Sequence, residues 1–311
     1  MNLIQEKEDL FVDLQKVKNE VGNTPLVDLS ILSPNPNVKI FAKKEWEQIG
    51  GSVKARAAFE IISKAIENGE LGKNKIFLDA SSGNTAIAYA CVLNELSIKA
   101  VIVLPENASD ERKLILRNLG VDLILSSPFE GTDGAQELAK KIYKNNPDEY
   151  YYADQYNNDN NWKSHYNSTA QEIFNQTNEE ITHFAASLGT TGTFVGTGRR
   201  LKKLNNDIQL IQLQPSEPMH GLEGWKHLET AKVPGIFDSS LADFSINVDS
   251  QNAIENIRTV FQKTGLRLSP SASASVLGAM EFSKTIEKGV VVTVLADNGD
   301  KYGEIYNELK I

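Results

Sequence analysis

From about residue 38 the chain alternates short apolar runs with segments of helical period, and no other feature constrains its fold as tightly. Residues 38–42, 76–78, 100–104, 121–125, 181–188, 208–213 and 290–295 read as strands. Between them, residues 51–66, 86–96, 111–119, 135–143 and 194–204, and later about 251–263 and 273–286, read as helices. The first of these places Ala57, Ala58, Ile61, Ile62 and Ala65 on one face, and Gly120 closes the third, as glycine commonly does just past a helix end. Continuous apolar strands separated by helices are what a parallel sheet covered on both faces requires. The fold class is therefore α/β.

Bulk properties narrow the function. A length of 311 residues suggests about two domains. The polar run 157–161 reads either as the boundary or as an ordinary loop. A net charge of -9 argues against a nucleic-acid or membrane partner. Lys140-Lys141 and Arg199-Arg200 read as solvated helix faces. The single cysteine, Cys91, excludes a disulfide within the chain and a thiolate metal cluster, and its apolar surroundings predict a buried, inert thiol. The acidic N-terminal residues do not resemble a signal peptide, and no apolar stretch approaches the roughly 20 residues of a membrane span, so the expected compartment is the cytoplasm.

Three polar loops each follow a strand and open a helix, the position where open α/β sheets bind ligands. The first is Gly50-Gly51-Ser52-Val53-Lys54. A lysine in a first helical turn opposes the helix dipole, which favours its neutral amine as a nucleophile toward a carbonyl. On this motif alone, a solvated surface lysine remains the plainer account. The second is Asp79-Ala80-Ser81-Ser82-Gly83-Asn84-Thr85, which suits a carboxylate or phosphate, or simple N-capping by Ser82 or Asn84. The third, Ser187-Leu188-Gly189-Thr190-Thr191-Gly192-Thr193, reads as a phosphate cradle or a tight turn, and lacks both Walker and dinucleotide spacing. Gly196 and Gly198 are expected to serve close helix packing. An aldehyde cofactor carrying a phosphate, acting on an amino acid, would use all three loops.

These residues resemble the fold-type II pyridoxal-phosphate enzymes, and among them the cysteine synthases, with most likeness to the B-isozyme branch. Gly22-Asn23-Thr24-Pro25-Leu26 resembles the family's opening signature, and Gly51-Ser52-Val53-Lys54 its cofactor-lysine segment. Ser81-Ser82-Gly83-Asn84-Thr85 is similar to its substrate loop, and Asp154-Gln155-Tyr156-Asn157-Asn158 to a later segment. Ile181-Thr182-His183-Phe184 leading into the third loop, and Val233-Pro234-Gly235-Ile236-Phe237-Asp238, are particularly like the B isozyme. The likeness runs from about residue 21 to 302, with the motifs in the family's order.

The resemblance implies two open, twisted parallel-sheet domains with helices on both faces, like the tryptophan synthase β subunit. It implies a small mobile domain at 45–152 and a larger one combining 1–44 with 153–311. The implied cofactor is pyridoxal 5'-phosphate, held by Lys54 as a Schiff base. Asn84 would bond the ring hydroxyl, Gly189, Thr190, Thr191, Gly192 and Thr193 the phosphate, and Ser271 the ring nitrogen. Ser81, Ser82, Gly83, Thr85 and Gln155 would hold the substrate carboxylate. The implied reaction is a β-replacement: an activated serine, O-acetylserine or O-phosphoserine, loses its β-substituent to leave an aminoacrylate, and sulfide or another nucleophile adds to give cysteine. A homodimer and an acyltransferase partner are also implied.

Departures from the family pattern stand at Gln48, Ile49, Ala55 (usually aspartate), Ala86 (usually glycine), Ala272 and Ser273. They keep open a specialised β-replacement enzyme or a non-catalytic relative. A dehydratase or a threonine synthase-like lyase is the other reading of the same fold. His220 and His227, in the segment expected to line the site entrance, are too loosely spaced to predict a metal pair, and no metal is expected.

Overall fold

The computed structural model describes residues 3–311, and side chains from residue 9 onward. In chain order the elements are α1 (Leu3–Lys18), β1 (Leu26–Asp28), β2 (Val38–Lys44), α2 (Lys54–Glu67), β3 (Ile76–Ala80), α3 (Asn84–Glu95), β4 (Ala100–Pro105), α4 (Asp110–Asn118), β5 (Asp122–Ser126), α5 (Gly131–Asn145) and β6 (Tyr150–Tyr152). They continue with α6 (Asp159–Asn167), α7 (Thr169–Gln176), β7 (His183–Ser187), α8 (Gly192–Leu204), β8 (Gln209–Pro215), β9 (Phe244–Val248), α9 (Ser250–Thr264), α10 (Pro270–Ser283), β10 (Gly289–Leu295) and α11 (Gly303–Glu308).

The chain divides into two compact units. The first takes the chain up to Gly22, then Gln48–Gly50 and Lys54–Asn161; the second takes Asn23–Glu47, Gly51–Val53 and Trp162–Ile311. These boundaries differ from the expected 45–152 division. The N-terminal helix belongs to the first unit because Leu10, Leu14 and Val17, spaced along one helical face, bury into its core beside Ile61 and Ile62 of α2. Residues 153–161 stay with it too, and the division falls at the end of the polar run 157–161.

The first unit's sheet has the order β5-β4-β3-β6, with every pairing parallel. Alternate residues feed opposite faces, as the period of two in a strand demands. Phe77, Ala100, Ile102 and Leu104 pack on one face with residues of α1, α2, α3 and α4. Leu78, Ala80, Val101 and Val103 pack on the other with Ala135 and Ala139 of α5. All six residues of β4 are buried, and full burial of each larger aliphatic contributes about 1.5–3 kcal/mol.

The second unit's sheet has the order β1-β2-β10-β7-β8-β9 and is parallel except for the short edge strand β1, which runs antiparallel to β2. Ile40, Ala42, Ile211, Leu213 and Val291 face the core under α9 and α10. Phe184, Ala186, Leu210, Val292 and Val294 face the core under α7 and α8. Two parallel sheets with helices on both faces agree with the sequence reading; β1 is its one antiparallel exception among the described strands.

Two surface expectations differ. Arg199 and Arg200 are not simply solvated: Arg199 bonds Asp238 at 2.9 Å and stacks over Trp162, while Arg200 bonds Gln171 at 3.2 Å and lies over the Tyr166 ring. Both arginines therefore brace α8 against its neighbours. Cys91 is half-buried rather than buried, because it sits on the outer flank of α3. Lys140 and Lys141 are exposed, as expected.

Candidate functional site

Lys54 is the first residue of α2, three residues later than the sequence period suggested. The delay has a local cause. Gly50 and Gly51 have φ of 71° and 62°, a left-handed conformation that β-carbon-bearing residues rarely adopt and that no helix accommodates. A β-carbon on Gly50 would also lie 3.1 Å from the Ala88 backbone of α3, so the turn needs glycine there for space as well. Val53 is anchored by its N–H to the Ala296 carbonyl at 2.8 Å, which fixes the residue immediately before the lysine. Ala55 is fully buried. An aspartate at that position would be a buried charge, so alanine spares the helix a desolvated carboxylate.

The second loop spans the end of β3 and the start of α3. Neither Ser82 nor Asn84 caps the helix: Gly83 occupies the N-cap, with no side-chain cap bond. Ser81 Oγ instead accepts the Gly83 N–H at 3.3 Å. Gln155, only 2% exposed, donates from Nε2 to the Ala80 carbonyl at 3.1 Å. β3 and β6 are parallel neighbours, so the segments that follow them leave the same sheet edge. This is how Gln155 meets a loop 75 residues earlier in sequence. Ala86 is fully buried in the first turn of α3.

Asp79, the penultimate residue of β3, has a buried carboxyl pushed up to about 7, chiefly by desolvation. Its Oδ1 accepts the Ala80 N–H at 2.8 Å, and the Tyr89 hydroxyl neighbours it from α3. Tyr89, itself fully buried, is raised well above its usual range by the same burial. The sequence reading places Asp79 at the head of the second loop with no role of its own, whereas the structure puts it inside β3. An aspartate within an otherwise apolar strand was the available signal.

The second unit carries the third loop, between β7 and α8. Thr191 is the α8 N-cap in a left-handed conformation, φ 71°, and makes no side-chain cap bond. Its hydroxyl is buried and has no hydrogen-bond partner among the described residues. A non-glycine residue held in this conformation is strained, and such strain gathers at functional sites. Thr193 Oγ1 lies 3.2 Å from His165 Nε2. A β-carbon on Gly189 would fall 2.0 Å from the Gly224 carbonyl, and the Lys226 N–H donates to the Leu188 carbonyl. The 219–227 segment thus lies directly against this turn. Within it, His220 accepts the Leu222 N–H, and His227 meets the Thr230 hydroxyl. Burial lowers the His220 pKa.

Ser271, in the first turn of α10, is buried with its Oγ 3.0 Å from Ser269 Oγ and 3.4 Å from Asp297 Oδ1. Asp297 follows β10, the parallel neighbour of β7, so Ser271 and the 189–193 loop share one carboxyl edge of the sheet. Helix α10 begins earlier than its sequence period suggested, because Ser269 caps it by accepting the Ala272 N–H and Pro270 occupies its first position. The departure at Ser273 has a packing role: its hydroxyl donates to the Ala253 carbonyl at 2.7 Å and accepts from Asn256, tying α10 to α9.

The expected residues therefore divide between the units. Lys54, Ser81, Ser82, Gly83, Asn84, Thr85 and Gln155 lie in the first; Gly189, Thr190, Thr191, Gly192, Thr193 and Ser271 lie in the second. The second set fits a phosphorylated cofactor. The N-cap Thr191 makes no side-chain cap bond, Thr190 Oγ1 accepts the Gly192 N–H at 3.4 Å, and the later amides of the first α8 turn, with the buried Thr191 hydroxyl, suit an anion at the helix start. A strand-end loop of this kind in one unit and a helix-initial lysine in the other are the features expected of a pyridoxal-phosphate enzyme.

Comparison with known proteins agrees. Residues 17–297 match the family described as pyridoxal-phosphate dependent enzyme, and the chain belongs to that family, in its cysteine synthase branch. It is 44% identical over 289 residues to cysteine synthase of Aquifex aeolicus, covering 91% of this chain and 88% of that protein. It is 34% identical to cysteine synthase B of Escherichia coli, covering 93% and 94%. Among solved structures, cysteine synthase from Entamoeba histolytica superimposes with a TM-score of 0.88 at 28% identity, covering 94% of this chain and 90% of that one.

Proposed function

We propose that this chain makes L-cysteine by β-replacement, using O-acetylserine as amino-acid substrate and sulfide as nucleophile. Pyridoxal phosphate, when bound, supplies the electron sink that makes the substrate α-proton acidic. Lys54 Nζ would hold the cofactor until the substrate amino group displaces it, and the freed amine then takes the proton from the substrate α-carbon. Its place at the start of α2, fixed by Val53, supports that role. Ser81, Ser82, Gly83, Thr85 and Gln155 bind the substrate carboxylate, and Asn84 donates to the ring hydroxyl. Gly189 to Thr193 hold the phosphate, and Ser271 Oγ meets the ring nitrogen.

One observation carries the substrate assignment. The Ser81–Thr85 loop opens a helix whose N-cap, Gly83, has no side chain to cap it, and Gln155 is fastened to the Ala80 carbonyl immediately before that loop. Hydroxyls, amides and helix dipole then converge on an anion the size of a carboxylate. Acetate leaves the β-carbon as the α-proton moves to Lys54; sulfide then forms the new carbon–sulfur bond at the same carbon, and Lys54 returns the proton to the α-carbon. Purified protein incubated with pyridoxal phosphate, O-acetylserine and sulfide is expected to release cysteine. Release of a keto acid without sulfide incorporation would replace this reading with an elimination. O-phosphoserine tested in parallel settles the leaving group. The family resemblance supports a cytoplasmic homodimer and an acyltransferase partner; sedimentation, alone and with a serine acyltransferase, tests both associations.

A further inference from the structure

His165 is buried at 2% exposure near the end of α6, and sequence reasoning gave it no role. Its two ring nitrogens each face a threonine. Nδ1 lies 2.9 Å from Thr169 Oγ1, and Nε2 lies 3.2 Å from Thr193 Oγ1. Thr169 is fully buried, and Thr193 is the second residue of α8, within the proposed phosphate cradle. The approach is tight by construction. A β-carbon on Gly196 would lie 2.0 Å from the Trp162 carbonyl and 2.9 Å from His165 Cβ, so glycine at 196 lets this stretch of α6 close on α8.

We propose that His165 is a positioning residue that aims the Thr193 hydroxyl at the cofactor phosphate. The inference rests on the reading of residues 189–193 as the phosphate cradle. A hydroxyl has one proton and two lone pairs, and a phosphate dianion only accepts. For Thr193 to serve the phosphate, its proton must point there, and its oxygen must take a hydrogen bond from elsewhere. His165 Nε2–H is placed to give it. A neutral imidazole then carries no proton on Nδ1, which accepts from the Thr169 hydroxyl. The order is fixed at every link: Thr169 O–H to Nδ1, Nε2–H to Thr193 Oγ, Thr193 O–H to phosphate. No other neutral tautomer leaves the Thr193 proton available.

Two measurements test this. Nitrogen-15 spectra of histidine-labelled protein should show His165 as the neutral Nε2–H tautomer, with and without pyridoxal phosphate. The Nδ1–H tautomer, or an imidazolium, would overturn the proposal whatever the variants do. Binding of pyridoxal phosphate and of pyridoxal, which lacks the phosphate, is then compared by fluorescence in wild type, His165→Phe, Thr193→Val and the double variant. Each single change should weaken pyridoxal phosphate roughly ten-fold and leave pyridoxal unchanged, and the double change should be no worse than either single one. A merely structural histidine would weaken both ligands alike, and that result would refute the positioning role. If wild-type protein binds both ligands equally, the cradle reading itself fails, and the role of His165 falls with it.

Discussion

Asp79→Asn preserves the shape of a buried side chain while removing its titration. The wild-type carboxyl is raised from 3.8 to about 7, with burial as the leading cause. Between those values the unfolded chain has released this proton and the folded chain still holds it. The folded state therefore binds more protons, and stability falls as pH rises through the window. A rise of about three units, at about 1.4 kcal/mol each, amounts to about 4 kcal/mol, fully present below pH 4 and lost above pH 7. Asparagine keeps an acceptor for the Ala80 N–H, now 2.8 Å from Asp79 Oδ1, and carries no charge at any pH. The assay is urea unfolding of both proteins at pH 5, 6, 7 and 8, followed by a probe in the first unit. The asparagine variant should gain on wild type steadily as pH rises, and the gain should level off above pH 7. Because other groups titrate identically in both proteins, the difference isolates Asp79. Parallel pH profiles would refute the reasoning and return Asp79 to an ordinary ionised state.

Further outcomes follow from other contacts. Gly196→Ala should lower the melting temperature, at a cost of about 1–3 kcal/mol, because its methyl meets the Trp162 carbonyl at 2.0 Å. Ser273→Ala should cost about 1 kcal/mol by removing the bond to the Ala253 carbonyl, with little effect on turnover. Lys43 is fully buried and pairs with Glu172 at 2.7 Å, so Lys43→Ala should cost about 3–5 kcal/mol in chemical unfolding. Dialysis against hydroxylamine, which takes the cofactor aldehyde from Lys54 as its oxime, should abolish cysteine formation, and adding pyridoxal phosphate back after removing the hydroxylamine should restore it.

What the sequence made legible was local. β4 and β10 stand out because central parallel strands bury both faces and so read as unbroken apolar runs. The edge strand β9 does not, since Phe244, Ser245 and Asn247 are exposed. β6 is three half-buried tyrosines and β1 only three residues long, and neither offers a period to detect. Helices α6 and α7 are polar over most of their length and were missed for the same reason. The three loops were readable because each places its chemistry within a few consecutive residues. The His165–Thr193 contact spans 28 residues, and the Ser271–Asp297 contact 26. Only the order of strands in the sheet brings such partners together, so no window along the chain reveals them. The departures at Ala55 and Ser273 were likewise opaque until burial and bonding showed that each is accommodated by its packing.

The most direct test of the account is the absorbance spectrum of the purified protein with pyridoxal phosphate, before and after O-acetylserine and then sulfide, beside Lys54→Ala. The account predicts a visible band that requires Lys54, shifts when O-acetylserine is added and returns when sulfide follows. An identical band in the alanine variant, or one that O-acetylserine and O-phosphoserine both leave unmoved, would contradict it.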